Sequence, residues 1–202
     1  MIGARTLVVA LAAGLLGPAW AQVPHPMVRH ARELLGVPYH FGGRLGAAPV
    51  GREGIDCQGL LFYAAERTSG CGWRSFSVFP TESVRLGELG EPVPGLDPVA
   101  TAGLRLADLR PGDVLLFVGA DENPAEPAIA ELGETPVWVW HTALYAGDGS
   151  FLVGDHFAGE AVELPLLPYL KEHADTYQGL FVTRMKDGPK PRRCRKHPPM
   201  KR

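Results

Sequence analysis

The chain is 202 residues long, 46% apolar and 21% charged, the balance of a folded domain, which excludes a disordered or fibrous protein. Its formal charge of −2 hides a split: residues 22–185 carry 11 basic and 21 acidic side chains, net −10, while residues 186–202 carry eight basic and one acidic, net +7. Nucleic acid is therefore not expected as a partner of the acidic body.

Residues 1–21 read as a signal peptide. Arg5 gives a positive start, Leu7 to Leu16 an apolar core, and Ala19-Trp20-Ala21 a small-x-small cleavage site. The apolar run is too short for a comfortable membrane span. The mature chain would begin near Gln22 and be exported, to the periplasm or outside the cell. Residues 22–185 suit one domain, expected to be monomeric. The tail, 186–202, is proline-rich and lacks apolar periodicity, so it is expected to be disordered. It reads as a solvated appendage or as an electrostatic tether to anionic wall polymer or lipid head groups.

Pro26 to Leu35 predicts a first helix: Val28, Ala31, Leu34 and Leu35 share one face, and Gly36 with Pro38 stops it. Tyr39 to Arg44 then opens a polar loop. At Gly54-Ile55-Asp56-Cys57-Gln58-Gly59 the loop becomes a second helix, with Asp56 as its N-cap and Leu60, Leu61, Ala64 and Ala65 at helical spacing. This helix ends at Ser69-Gly70. A short helix near Thr81–Leu89 and a proline-broken connection follow. Leu109 to Asp113 forms a turn before an apolar strand, Val114–Val118, and residues 119–136 read as an acidic surface insertion. Val137–Ala146 and Ser150–His156 are strands joined by the hairpin signal Gly147-Asp148-Gly149. Leu164–Tyr177 is ambiguous and compatible with a short helix. Gly179–Met185 closes the series as a strand. Helices followed by strands predict an α+β domain, its N-terminal helices packed on a central antiparallel sheet.

Cys57 falls in the first turn of the second helix, where N–H groups lack intrahelical partners and the dipole favours an anion. Its thiol is therefore expected to be acidified, with the same N–H groups able to hold an oxyanion. A buried, inert cysteine is the competing reading. Three cysteines in an oxidising compartment leave at least one free. Cys57 is the expected free one; Cys71 and Cys194 could pair, which sequence alone does not establish. His141 lies on a strand among apolar neighbours. It is either a hydrogen-bonded core residue or the base that a nucleophilic cysteine needs close in space. No zincin motif, serine elbow or phosphate loop is present, and no histidine spacing singles out a metal site, so no metal or cofactor is expected.

Four stretches occur in order: Gly36-Val37-Pro38-Tyr39-His40-Phe41-Gly42-Gly43, Asp56-Cys57-Gln58-Gly59-Leu60, Leu109-Arg110-Pro111-Gly112-Asp113-Val114, and His141-Thr142-Ala143-Leu144-Tyr145-Ala146-Gly147-Asp148-Gly149. Together they resemble the NlpC/P60 cysteine peptidases. The resemblance implies a papain-like fold, Cys57 as nucleophile and His141 as base. It places Tyr39 and Asp56 on the substrate-amine side of the cleft, with Gln58 also touching the cleft. It further implies cleavage of amide bonds in peptidoglycan stem peptides, typically between D-glutamate and diaminopimelate. Gln58 stands where the family usually has Ser, and Phe41 where it often has Trp.

The family's third catalytic residue is polar and lies on the strand after the hairpin, at a place that here holds Val153. The hairpin register offers two candidates. With a three-residue loop, Ala146 pairs with Ser150 and His141 faces Asp155. With a two-residue turn, Gly147 pairs with Ser150 and His141 faces His156. Asp155 also keeps the face of Val153 and is preferred. Two other functions compete with the peptidase: a non-catalytic wall- or lipid-binding protein on the same fold, and an amidase or toxin acting on another isopeptide bond.

Overall fold

In a computed structural model, residues 25–44 and 54–194 are described. The signal-peptide reading and the tail beyond Cys194 lie outside these residues. Helix α1 (Pro26–Arg32) is shorter than expected. After it the chain leaves in tight turns to Gly36, at φ +80, while Leu34 stays buried. Helix α2 (Cys57–Ser69) starts where Asp56 caps it, the extended Asp56 accepting the Gly59 N–H on its side chain, and stops at left-handed Gly70. Helix α3 (Pro80–Arg85) ends early because the chain turns away before Gly87, at φ +65.

Strands β1 (Glu91–Pro92) and β2 (Val99–Ala100) are too short and proline-flanked to leave a sequence signal. β3 (Val114–Gly119), β5 (Thr135–Gly147) and β6 (Ser150–Asp155) fall where expected. The acidic insertion holds an unanticipated strand, β4 (Ala130–Leu132), folded back on the start of β5. A second unanticipated strand, β7 (Glu160–Pro165), precedes α4 (Leu166–Glu172); the series closes with β8 (Gly179–Arg184). β7 is an edge strand whose one fully buried residue is Ala161, so it has no apolar run to betray it. The sheet is antiparallel in the order β1-β8-β3-β5-β6-β7, with β2 also on β8 and β4 on β5. The architecture is α+β.

Both faces of the sheet are covered. Met27, Val28, Leu60, Leu61 and Ala64 of α1 and α2 pack with Leu116, Leu144 and Leu152 on one face. On the other, Leu115, Phe117, Tyr145 and Val153 pack with Leu166, Tyr169 and Leu170 of α4. β3 serves both cores with alternate residues, hence its unbroken apolar run.

Two irregularities in β5 set the site. Phe117 pairs with His141 but Val118 with Val139, so Trp140 is an extra residue. This bulge reverses the side-chain alternation. Val137 and Val139 lie in the helix-side core with Leu144 and Ala146, whereas His141 packs against Phe117 and Tyr177 of the opposite core. At the far end Gly147 pairs with Ser150 across Asp148 and Gly149, at φ 50 and 78, while Tyr145 pairs with Phe151. The turn is thus the two-residue alternative, yet Ala146 bulges and restores the skipped residue. Continuing the Leu144–Leu152 register sets His141 opposite Asp155, the partner expected of the longer loop.

Cys71 and Cys194 form a disulfide, and Cys57 is free. Lys190 N–H donates to Glu88 C=O at 2.9 Å. The stretch whose composition reads as disordered is therefore anchored as far as Cys194, by covalent and backbone bonds that composition does not reveal.

Candidate active site

The start of α2 comes against β6 at a position that only glycine fits. A Cβ on Gly154 would lie 2.7 Å from the Asp56 carbonyl oxygen and 3.3 Å from the Cys57 nitrogen. Cys57 is half-buried there, beside Thr142, the residue after His141. Burial, and after it the Asp56 carboxylate, push the thiol up; the nearby Thr142 and the Gln58 backbone pull the other way. That direction runs against the acidified thiol expected of a helix start alone, the burial of the thiol and the Asp56 charge outweighing the helix end.

His141 is buried, and that burial lowers its imidazole to about 4, against the upward pull of Asp155 and Asp56. The raised thiol and lowered imidazole both favour a neutral pair at rest. Its Nε2 lies 4.0 Å from Asp155 Oδ1, and its ring stacks on Tyr177 with centroids 6.0 Å apart. Asp155 is buried; its Oδ1 accepts the Tyr169 hydroxyl and the Phe157 N–H, each at 3.3 Å. His156 is exposed. Its Nδ1 lies 3.8 Å from the same oxygen, and its ring stands perpendicular to that of His141. Val153 is a core residue.

The remaining expected residues surround Cys57. Tyr39 is half-buried, 6.1 Å from the His156 ring, and its hydroxyl is pushed up by burial and then by Cys57, Asp56 and Asp155. Asp56 is buried and bonded to Gly59, Gly42 and Arg44. Gln58 accepts from Arg44 Nη2 at 2.8 Å and donates to the Val78 carbonyl at 2.7 Å.

Arg44, Tyr169 and Tyr177 were not among the residues anticipated. The last two sit in the segment left ambiguous, where Tyr169, His173 and Tyr177 at four-residue spacing are the signal that could have marked an inward aromatic face. Among the described residues, no group of three or more His, Cys, Asp or Glu could hold a metal ion. The arrangement can supply a thiol, a base of lowered proton affinity and a carboxylate behind it.

No protein-family model matches the chain. Over 135 residues it is 29% identical to a gamma-DL-glutamyl hydrolase of Bacillus subtilis. That match takes in 67% of this chain and 24% of the hydrolase, so the chain spans about a quarter of its curated relative's length. Solved structures of P60 and NlpC proteins are among those it resembles. The peptidoglycan hydrolase RipB of Mycobacterium tuberculosis is 22% identical, with 79% of this chain and 62% of that chain covered and a TM-score of 0.46. The P60 domain of an M. avium subspecies paratuberculosis antigen is 19% identical, covering 79% and 91%, with a TM-score of 0.47. NlpC2 of Trichomonas vaginalis is 18% identical, covering 82% and 50%, with a TM-score of 0.49.

Proposed function

We propose that this chain is an exported cysteine hydrolase of the NlpC/P60 type, cleaving the amide bond between D-glutamate and diaminopimelate in peptidoglycan stem peptides. The observation that carries the reading is the free Cys57 in the first turn of α2, beside the strand that presents buried His141 with Asp155 behind it. The four ordered motifs and the relative named as a glutamyl hydrolase support it.

His141 takes the thiol proton as Cys57 attacks the amide carbonyl. The Gly59 N–H is already committed to the Asp56 side chain and the Leu60 N–H to its carbonyl, so the Cys57 and Gln58 N–H groups are the donors for the oxyanion. The proton passes to the departing amine, leaving an acyl-enzyme thioester. Water, deprotonated by His141, then hydrolyses the thioester and the thiol is restored. Digestion of purified peptidoglycan with mass spectrometry of the fragments tests this. Products ending in D-glutamate, lost with Cys57→Ala, are expected; an intact D-glutamate–diaminopimelate bond after exhaustive digestion overturns the assignment.

A second reading concerns location. The Cys71–Cys194 disulfide sets Arg192 and Arg193 near Arg74, and the three arginines with Ser75 line one surface depression. This supports the basic tail as a tether to anionic wall or membrane surfaces.

A further inference from the structure

The carboxylate preceding the nucleophile accepts three hydrogen bonds from within the protein, one of them from a largely buried guanidinium. Asp56 is 5% exposed. Its Oδ1 accepts the Gly59 N–H at 2.7 Å and an Arg44 Nη1–H, and its Oδ2 accepts the Gly42 N–H at 3.0 Å. Arg44 is itself largely buried. It also donates to the Gly43 carbonyl at 2.9 Å and to Gln58 Oε1 at 2.8 Å, and its guanidinium lies 5.4 Å from the Phe62 ring centre. Gln58 is held in turn by the Val78 carbonyl. The result is one largely buried ion pair braced by neutral hydrogen-bonding groups, at the place where the family resemblance expects a carboxylate to meet a substrate amine.

An incoming ammonium would meet a desolvated carboxylate whose charge is already matched by a guanidinium, and taking it over would strand that guanidinium away from water. Among the described residues, the other wall offers no replacement. Tyr39 is neutral, and Asp155 is buried and bonded to Tyr169 and Phe157. Glu160, which bridges to Pro38, is exposed with its carboxylate over Gly36.

Resting on the proposed stem-peptide hydrolase, we propose that Arg44 sets substrate choice by closing this subsite to a free α-amine, so that the chain acts on stem peptides whose amino end is acylated, as it is while they remain carried on glycan. Arg44 is a positioning residue: it acts through Asp56 and Gln58, and its effect should fall on KM more than on kcat.

Two synthetic peptides of one sequence, L-Ala–γ-D-Glu–diaminopimelate with a free or an acetylated amino end, test this on the intact protein. The acetylated peptide should be cleaved with a kcat/KM at least equal to that of the free one. Arg44→Met, which bares Asp56, should move the ratio at least tenfold toward the free amine, chiefly through KM. Wild-type protein cleaving the free-amine peptide more than tenfold better overturns this inference alone and leaves the hydrolase standing. Cleavage of neither peptide, with no calorimetric binding of either to the Cys57→Ala protein, overturns the functional reading and this inference together.

Discussion

Asp155 Oδ1 stands 4.0 Å from His141 Nε2, too far for a hydrogen bond and near enough for its charge to be felt. The carboxylate is held back by its bonds to Tyr169 and Phe157. Its influence on the imidazole is therefore a field, which raises the proton affinity that burial has lowered.

Asp155→Asn should keep the shape and remove that field. The His141 pKa, already down at about 4, should fall further, and the acid limb of kcat/KM should move to lower pH. Turnover should drop on the order of 100-fold, since the imidazolium formed during attack loses its counter-charge. His156→Gln, on an exposed ring, should change the rate only a few-fold. A pH–rate series on the two variants decides it, and the reverse ranking would move the third role to His156.

The resting thiol should be a slow nucleophile toward small reagents. Burial and Asp56 raise its pKa, so alkylation of Cys57 at neutral pH should lag behind a free cysteine and climb as pH is raised. A flat labelling rate from acid to neutral pH would instead indicate a preformed thiolate–imidazolium pair.

Gly154→Ala should reach Cys57 from behind. The added methyl would meet the Asp56 carbonyl at 2.7 Å, so the start of α2 or the end of β6 must shift. A cost of about 1–3 kcal/mol is expected in denaturant unfolding. Peptidase activity should fall more than tenfold in protein that remains folded, because the thiol would no longer be aligned. Unchanged turnover would show that the helix start is not positioned by this contact.

The outline of the fold was legible because α2, β3 and the β5–β6 hairpin each carry a strong local signal: a capping Asp56 with glycine stop, a run buried on both faces, and Asp148-Gly149 in a tight turn. What escaped was set by tertiary context. β7 is an edge strand without apolar alternation, and Arg44 is a lone arginine in a glycine-rich loop until Asp56 folds over it. The partner of His141 depended on the Ala146 bulge, which no residue type announces. Two alternatives that each tied one turn to one partner could not anticipate the short turn combined with the longer loop's partner.

Arg192→Ser with Arg193→Ser should weaken binding to anionic vesicles or isolated wall, with the salt-sensitive part of the binding lost. These changes leave Cys194 in place, whereas deleting the whole tail would also break its bond to Cys71. Cleavage of a small soluble peptide should be unaffected. Identical binding of both proteins at low salt would reduce the tail to an appendage.

The bond from Cys71 to Cys194 closes a ring across a sequence separation of 123 that contains every strand of the sheet, while α1 and Cys57 lie outside it. The largely exposed stretch Asp121–Ala125 is inside that ring. A protease cutting there would release no fragment: both pieces would stay joined through sulfur, Cys57 on one and His141 on the other. Tolerance to nicking would then depend on the oxidised state of two cysteines that lie apart from Cys57 and His141.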